Sequence, residues 1–275
     1  MSHSTAITLS IAGSDSGGGA GIQADIKAIS ATGGYACTVL TALTAQNTLA
    51  VQAIHSVPPA FIRQQIDSVF ADLPVLAVKV GMLADADTIN CVAEALLHYQ
   101  PKTVILDPVM VASSGDLLLQ PQALSSLQNS LIATADLITP NLYEAQVLLG
   151  ETSSPLPNTL LQMQDMALRL QRQGAKAVLL KGGHGTGSTS TDVLCVDGSC
   201  EAFEAERVQT KNTHGTGCSL SAAIASYCAQ GHDLHDAVAR AKQYISAAIA
   251  HADQLQIGAG AGPIHHFYAQ ANHRG

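Results

Sequence analysis

The sequence predicts an α/β fold built on a mostly parallel sheet, and three observations carry that expectation. Short apolar runs of strand length recur along the chain and are continuous, not alternating, as strands buried on both faces are. Helical patterns lie between them, the alternation that parallel crossovers produce. Of 275 residues, 47% are hydrophobic and only 12% are charged, a composition that fits a packed core and not a disordered chain.

The strand-like runs are A-I-T-L-S-I-A (6–12), C-T-V-L-T-A-L (37–43), L-A-V-K-V-G (76–81), T-V-I-L-D (103–107), L-I-T-P (137–140) and A-V-L-L-K-G (177–182). The first clear helical pattern runs from Pro59, a residue suited to a first turn, to Leu73, with Phe61, Ile62, Ile66, Val69 and Phe70 on one face. Others run from about 85 to 99, 121 to 132, 142 to 149 and 158 to 173, the last closed by Gly174. Beyond residue 185 two short β-like runs flank D-G, a hairpin signal. Two long alanine-rich helical patterns follow, about 217–230 and 233–252. E-T-S-S-P-L-P-N (151–158) reads as a surface loop, no repeat is present, and the chain reads as one domain, 1–275.

A formal charge of −8 with no basic stripe argues against sequence-independent binding of nucleic acid. The N-terminal residues lack the basic segment and apolar run of a secretory signal, and no stretch approaches the ~18 apolar residues of a membrane span. The six cysteines form no C-x-x-C, so the chain is expected to be reduced and cytoplasmic; Cys195 and Cys200 are spaced to bridge, but the expectation is that they do not.

In parallel sheets ligands lie beyond the carboxyl ends of the strands. The loops expected there carry G-S-D-S-G-G-G-A-G (13–21), A-Q-N-T (45–48), G-M-L (81–83), D-P-V-M (107–110), T-P-N-L-Y-E (139–144), K-G-G-H (181–184) and G-T-G-C (215–218). The first is no G-x-G-x-x-G, and neither it nor G-G-H-G-T-G-S-T (182–189) has the lysine of a P-loop. It reads either as a flexible strand-to-helix turn or as close backbone approach to a small ligand, with Asp15 and Asp25 as nearby acceptors.

G-T-G-C is more informative. Gly215, Thr216 and Gly217 can turn successive N–H groups into one concavity, and the helix that follows adds its positive end, so an anion is stabilised there without a lysine. Cys218 stands at that end, where a thiol is expected to be drawn toward thiolate. Asn141 and Glu144, three residues apart, are either an ordinary helix start or a pair that holds hydrated Mg²⁺, with Asp107 a further candidate for the metal's surroundings. Lys181, ending a buried strand, either is solvated or reaches a phosphate. His265 and His266 read as surface or packing residues.

Together these segments resemble the hydroxymethylpyrimidine and phosphomethylpyrimidine kinases of thiamine biosynthesis, within the ribokinase-like superfamily. The resemblance runs from about residue 7 to P-I-H-H-F near 267, through A-G-S-D-S-G-G-G-A-G-I-Q-A-D, T-A-L-T-A-Q-N-T, K-V-G-M-L, L-D-P-V-M, S-G-D-L-L-L, L-I-T-P-N-L-Y-E-A, K-G-G-H and K-N-T-H-G-T-G-C-S-L-S-A-A. It implies a three-layer α/β/α sandwich, a homodimer, and transfer of phosphate from ATP–Mg²⁺ to 4-amino-5-hydroxymethyl-2-methylpyrimidine and then to its monophosphate.

Residue by residue it implies that Gln46 contacts the pyrimidine, an amide offering the donor and acceptor an aminopyrimidine edge needs. Met82 and Val109 match pocket-wall positions, and Asp25 is placed with them on the substrate side. Gly215, Thr216 and Gly217 match an anion hole, Lys181 a phosphate contact, and Asn141 and Glu144 the magnesium-organising pair. Cys218 stands where most sugar kinases of the superfamily carry an aspartate base, and is assigned that role.

Three alternatives stand beside this one. A pyridoxal or pyridoxine kinase shares the fold and sometimes the cysteine, but need not keep the glutamine. A nonenzymatic vitamin-binding protein would have no use for an anion hole. A thiol-redox enzyme needs a resolving partner, and Cys228 is ten residues away from Cys218, about three helical turns. The glycine-rich 182–188 segment is either a lid or a mobile hairpin.

Overall fold

The computed structural model describes residues 5–111, 118–183 and 187–271. Nine strands form one sheet: β1 (Ile7–Asp15), β2 (Tyr35–Gln46), β3 (Val51–Ser56), β4 (Ala77–Val80), β5 (Val104–Leu106), β6 (Leu137–Ile138), β7 (Ala177–Lys181), β8 (Thr189–Val196) and β9 (Ser199–Glu206). Their order is β3-β2-β1-β4-β5-β6-β7-β8-β9. The six strands from β2 to β7 pair in parallel, and antiparallel pairs close both edges: β2 with β3, β7 with β8, and β8 with β9.

The helices are α1 (Gly21–Ala31), α2 (Pro59–Asp72), α3 (Ala86–Tyr99), α4 (Leu124–Ser126), α5 (Leu142–Leu149), α6 (Leu160–Arg172), α7 (Thr216–Ala229) and α8 (Leu234–Ala250). The period-2 pleat sends alternate strand residues to opposite faces. Val78, Val80, Val104, Leu106, Val178 and Leu180 join the core that packs under α2 to α6. Ala77, Ile105, Ala177 and Leu179 join the core under α1, α7 and α8. The result is the three-layer sandwich expected, with a mostly parallel central sheet.

Cap chemistry sets several boundaries. Asp85, Thr159 and Asp233 each accept a backbone N–H two or three residues inside their helix, and Pro59 opens α2. The predicted helix over 121–132 is broken instead, passing from 3₁₀ (Pro121–Ala123) through α4 to a π turn (Leu127–Ile132). β3 was not foreseen: its Gln52, Ala53, Ile54, His55 and Ser56 are exposed on a sheet edge, so it carries no buried pattern.

The hairpin at Asp197-Gly198 forms as expected, with φ of 49° and 79°, the left-handed pair a two-residue turn requires. That turn sets Val196 opposite Ser199 and Cys195 opposite Cys200. Cys195 and Cys200 are joined by a disulfide, with Cα atoms 4.1 Å apart, so the reduced reading of this pair is overturned. The register explains it, because the tight turn leaves the two side chains facing each other across the ladder. Cys37, Cys91, Cys218 and Cys228 are free thiols.

Within S-G-D-L-L-L only Leu118 and Leu119 are described. His184 and two more residues of the proposed lid, 185 and 186, likewise lie outside the described residues. Among the described residues no helix is long and apolar enough to cross a membrane.

Candidate active site

A cleft of about 810 Å³ opens at the carboxyl ends of the parallel strands, the rim that parallel topology favours for ligands. Its walls are built by loops from both ends of the chain. β1 runs to Asp15 and β2 to Gln46, each further than the apolar runs alone indicated. This extension delivers Gln46 to the rim.

Gly215 begins α7 with φ of 79°, and any β-carbon there would run into the Gly19 carbonyl, so the turn can only be made by glycine. Gly215 provides no capping side chain, and the first helical bond is from Ser219 N–H to the Gly215 carbonyl. The amides of Gly217 and Cys218 precede that bond, at the positive end of α7. A β-carbon added to Gly217 would stand 3.2 Å from Lys181 Nζ and 3.6 Å from Asp107 Oδ2. Glycine here keeps open the gap between the turn and these two charges.

Lys181 Nζ donates to Asp107 Oδ1 at 2.8 Å, and the same oxygen accepts from Thr139 Oγ1. Burial pulls the Lys181 ammonium down, but Asp107 and Glu144 hold it above its ordinary value, so it stays charged. Asn141 and Glu144 form a capping box: Glu144 N–H donates to Asn141 Oδ1 at 2.9 Å, and Asn141 N–H donates to Glu144 Oε2 at 2.7 Å. The spacing thus builds the ordinary helix start, and one lone pair of the Asn141 oxygen is spent on it. Burial, with Asp107 adding to it, pushes the Glu144 carboxyl up to about 7. Two carboxylates facing one ammonium leave a surplus of negative charge, which suits a bound cation. Among the described residues no cluster of three His, Cys, Asp or Glu side chains forms a dedicated metal cage.

Cys218 lines the cleft. Burial pushes its thiol up to about 11, although Lys79 and a hydrogen bond from Gly21 N–H work the other way. The expectation of a resting thiolate is therefore corrected: the cost of burying a charge exceeds the help from Lys79 and the Gly21 N–H.

On the other side of the cleft, Met82 and Val109 pack with Ala42, Ala84 and Leu118 into a small apolar cluster separate from the two main cores. Gln46 reaches this pocket, its Nε2 3.5 Å from His214 Nε2. His214 is a residue the sequence did not single out. It bonds Asp15 Oδ2 at 2.9 Å, and Asp15 also accepts N–H bonds from Gly17, Gly19 and Ala20. Burial works to raise the Asp15 carboxyl, but His214 and the N–H groups of Ala20 and Gly17 hold it below the usual carboxylate range. Asp15 is thus consumed in tying the glycine loop to the anion turn.

Asp25 does not touch the cleft. It is wholly buried, where Lys79 Nζ meets its two oxygens at 2.9 and 2.7 Å and Ser10 Oγ donates to it at 2.6 Å. Its placement on the substrate side is corrected, because a lysine inside a buried strand requires a counter-charge. Half of the signal stands in the sequence, a lysine interrupting L-A-V-K-V-G, but nothing local names Asp25 as its partner. At the far end of the cleft, Lys242 Nζ donates to Asp192 Oδ2 at 2.8 Å beside Ile245 and Ile249.

Lys181, with Asp107 and Glu144 beside it, and the first amides of α7 meet at one point of the cleft, and an apolar pocket lies next to them. That division of labour defines a small-molecule phosphotransferase, which neutralises anionic oxygens while holding an uncharged acceptor. Residues 15–265 match the family model described as phosphomethylpyrimidine kinase, and the chain belongs to that family. It is 48% identical over 264 residues to the hydroxymethylpyrimidine/phosphomethylpyrimidine kinase of Rhizobium meliloti, covering 96% of this chain and 98% of that one. It is 50% identical over 261 residues to the thiamine biosynthesis bifunctional protein ThiED of Geobacter sulfurreducens, where it spans 95% of its own length and 52% of that relative's.

Among solved structures, an ADP complex of Bacillus subtilis pyridoxal kinase matches with a TM-score of 0.88 at 34% identity, over 97% of this chain and 99% of that one. Phosphomethylpyrimidine kinase of Clostridium difficile 630 matches with a TM-score of 0.77 at 41% identity, over 88% of this chain and 99% of that one.

Proposed function

We propose that this chain transfers phosphate from ATP to 4-amino-5-hydroxymethyl-2-methylpyrimidine and then to the resulting monophosphate, making the diphosphate used in thiamine biosynthesis. The observation that carries this reading is the meeting, in one cleft, of Gln46 and an apolar pocket with the Gly215–Thr216–Gly217 turn and Cys218. Gln46 pairs with the aminopyrimidine edge, Met82 and Val109 enclose the ring, and the turn receives the phosphoryl oxygens as charge develops on them. Lys181 holds the transferred phosphoryl group in line with the acceptor. Glu144 and Asp107 supply the acidic oxygens for hydrated Mg²⁺, with Asn141 holding Glu144 in place. The metal's contribution when bound is neutralisation of phosphate charge. Cys218 takes the proton of the substrate hydroxyl. The nucleotide base lies toward Ile245, Ile249 and the Lys242–Asp192 pair.

The reading includes one kinase domain over 1–275, from the absence of repeats and linkers, a cytoplasmic setting, from the cysteine usage, and a homodimer, carried by the resemblance. The exposed edge strand β3, with Leu43, Ile54 and Phe61 around it, is the face offered for the second copy.

A second reading, pyridoxal kinase, is favoured by the closeness of the backbone to the Bacillus subtilis enzyme. The deciding experiment is mass spectrometry of products after incubation with ATP, Mg²⁺ and equal amounts of hydroxymethylpyrimidine and pyridoxal. Pyrimidine mono- and diphosphate together are the expected outcome. Pyridoxal phosphate as the main product would replace the substrate assignment, and no phosphorylated product would overturn the activity.

A further inference from the structure

The ion pair beneath the cleft has no part in the scheme above. Lys79 lies in β4 at the centre of the sheet with no solvent exposure, yet its side chain lines the same cleft as Cys218. A β-carbon added to Gly81, just past the strand end, would stand 2.8 Å from Lys79 Nζ, so the ammonium has climbed to the level of the rim. Its hydrogen bonds among the described residues are the two to Asp25, which leave one of three N–H donors over. Burial works against both charges and their contact works for them; the ammonium stays protonated, above its ordinary value, and the Asp25 carboxyl is raised above its own. Such a pair is seldom more stable than apolar residues of the same volume, so stability alone does not account for it.

We propose that Lys79 is a positioning residue for Cys218: its ammonium, anchored by Asp25, supplies the fixed positive charge against which the thiol gives up its proton in the first transfer. This rests on the kinase reading above and deepens it. The charges facing Cys218 include Lys79 from β4, which favours the thiolate, Asp25 from α1 and Asp107 just past β5, which oppose it more weakly, and Lys181 at the end of β7. Gly21 at the start of α1 donates its N–H to the sulfur. Lys181 is engaged by Asp107, whereas the Lys79 charge is the strongest of the favourable influences on the thiol.

The step balances as follows. The thiol releases its proton to water, leaving a thiolate facing the ammonium and the Gly21 N–H. As the substrate oxygen bonds to the γ-phosphorus of ATP, its proton passes to the sulfur and the bond from that phosphorus to the bridging oxygen breaks. ADP leaves, and one proton has been released overall.

The test is the rate at which iodoacetamide alkylates Cys218 in the intact, nucleotide-free protein from pH 7 to 10. Mass spectrometry of the peptide carrying residue 218 separates it from Cys37, Cys91 and Cys228. Lys79→Met/Asp25→Leu exchanges the pair for apolar groups, the change a buried pair tolerates best. Its Cys218 should react about tenfold more slowly at pH 9, the loss of thiolate that a one-unit rise produces. Its first transfer should fall more than its second.

Asp25→Asn, which leaves the lysine charge unopposed, should shift alkylation toward lower pH. This variant carries the test if the double variant does not fold. Opposite shifts in the two variants support the proposal, because a general loosening of the site would move both the same way. An unchanged profile, or shifts in one direction, overturns it. A wild-type protein that phosphorylates neither pyrimidine overturns the kinase reading instead, and the alkylation profile reports on Lys79 regardless.

Discussion

In the proposed first transfer Cys218 accepts a proton although burial holds its thiol near 11, so little of it is thiolate at neutral pH. The two transfers should feel its loss unequally. The first activates a neutral alcohol, whereas the second uses a phosphate monoester with a second pKa of about 6, already mostly ionised. Cys218→Ala should lower the first by on the order of 10²–10⁴, the usual share of a general base, and the second far less. Separate steady-state assays with each pyrimidine check this, and equal losses would remove the base assignment. Glu144 makes a second case. Its carboxyl titrates near 7, and only the ionised form attracts a cation. Below that pH protons compete with Mg²⁺, so the apparent Mg²⁺ affinity should weaken as pH falls from about 8 to 6, and Glu144→Gln should flatten the dependence. The same raised value has a sign for folding: it favours the folded state below the ordinary carboxyl range, and that contribution is lost as pH rises through 7. Titration of activity against Mg²⁺ at each pH separates the metal effect from stability.

At the scale of elements, the β8–β9 hairpin combines a left-handed turn with a cross-strand disulfide on the sheet edge. Closing so short a loop constrains the unfolded chain by about 2 kcal/mol. Cys195→Ser/Cys200→Ser, or reduction, should lower the melting temperature by roughly 2–4 °C in a chain of this size. Kinase activity should persist, since the bridge lies away from the cleft. Calorimetry with and without reductant checks it, and an unchanged melting temperature would mean the bridge adds nothing. Elements also show what patterning reveals. Parallel strands were legible because burial on both faces makes them uniformly apolar, α2, α3, α6 and α8 because each pairs one apolar face with clear start or stop residues, and α7 as an alanine-rich run behind its glycine turn, buried nearly all round. β3 was not, because an edge strand with one neighbour buries almost nothing. The 121–132 helix was legible as a helix and not as a broken one, since backbone hydrogen-bond shifts leave no mark on side-chain periodicity.

Across the whole molecule, groups that act through local backbone were readable in the sequence. The Gly215–Cys218 turn needs only its own residues to be recognisable. Groups that act through tertiary partners were not: Asp25 was placed against substrate because nothing local shows Lys79 above it, and His214 was passed over because its partner is Asp15, 199 residues away. That separation has a consequence for how the protein is made. The glycine loop at residues 15–20 leaves the ribosome about 200 residues ahead of the turn that clamps it. At typical elongation speeds roughly 10–40 s pass between the two. During that interval the first βαβ unit exists without its closing partner, and contacts of such long range are slow to form afterwards. The cleft therefore closes after the sheet, and a chain cut short before α7 would have the sheet but neither the Gly215–Gly217 turn nor Cys218.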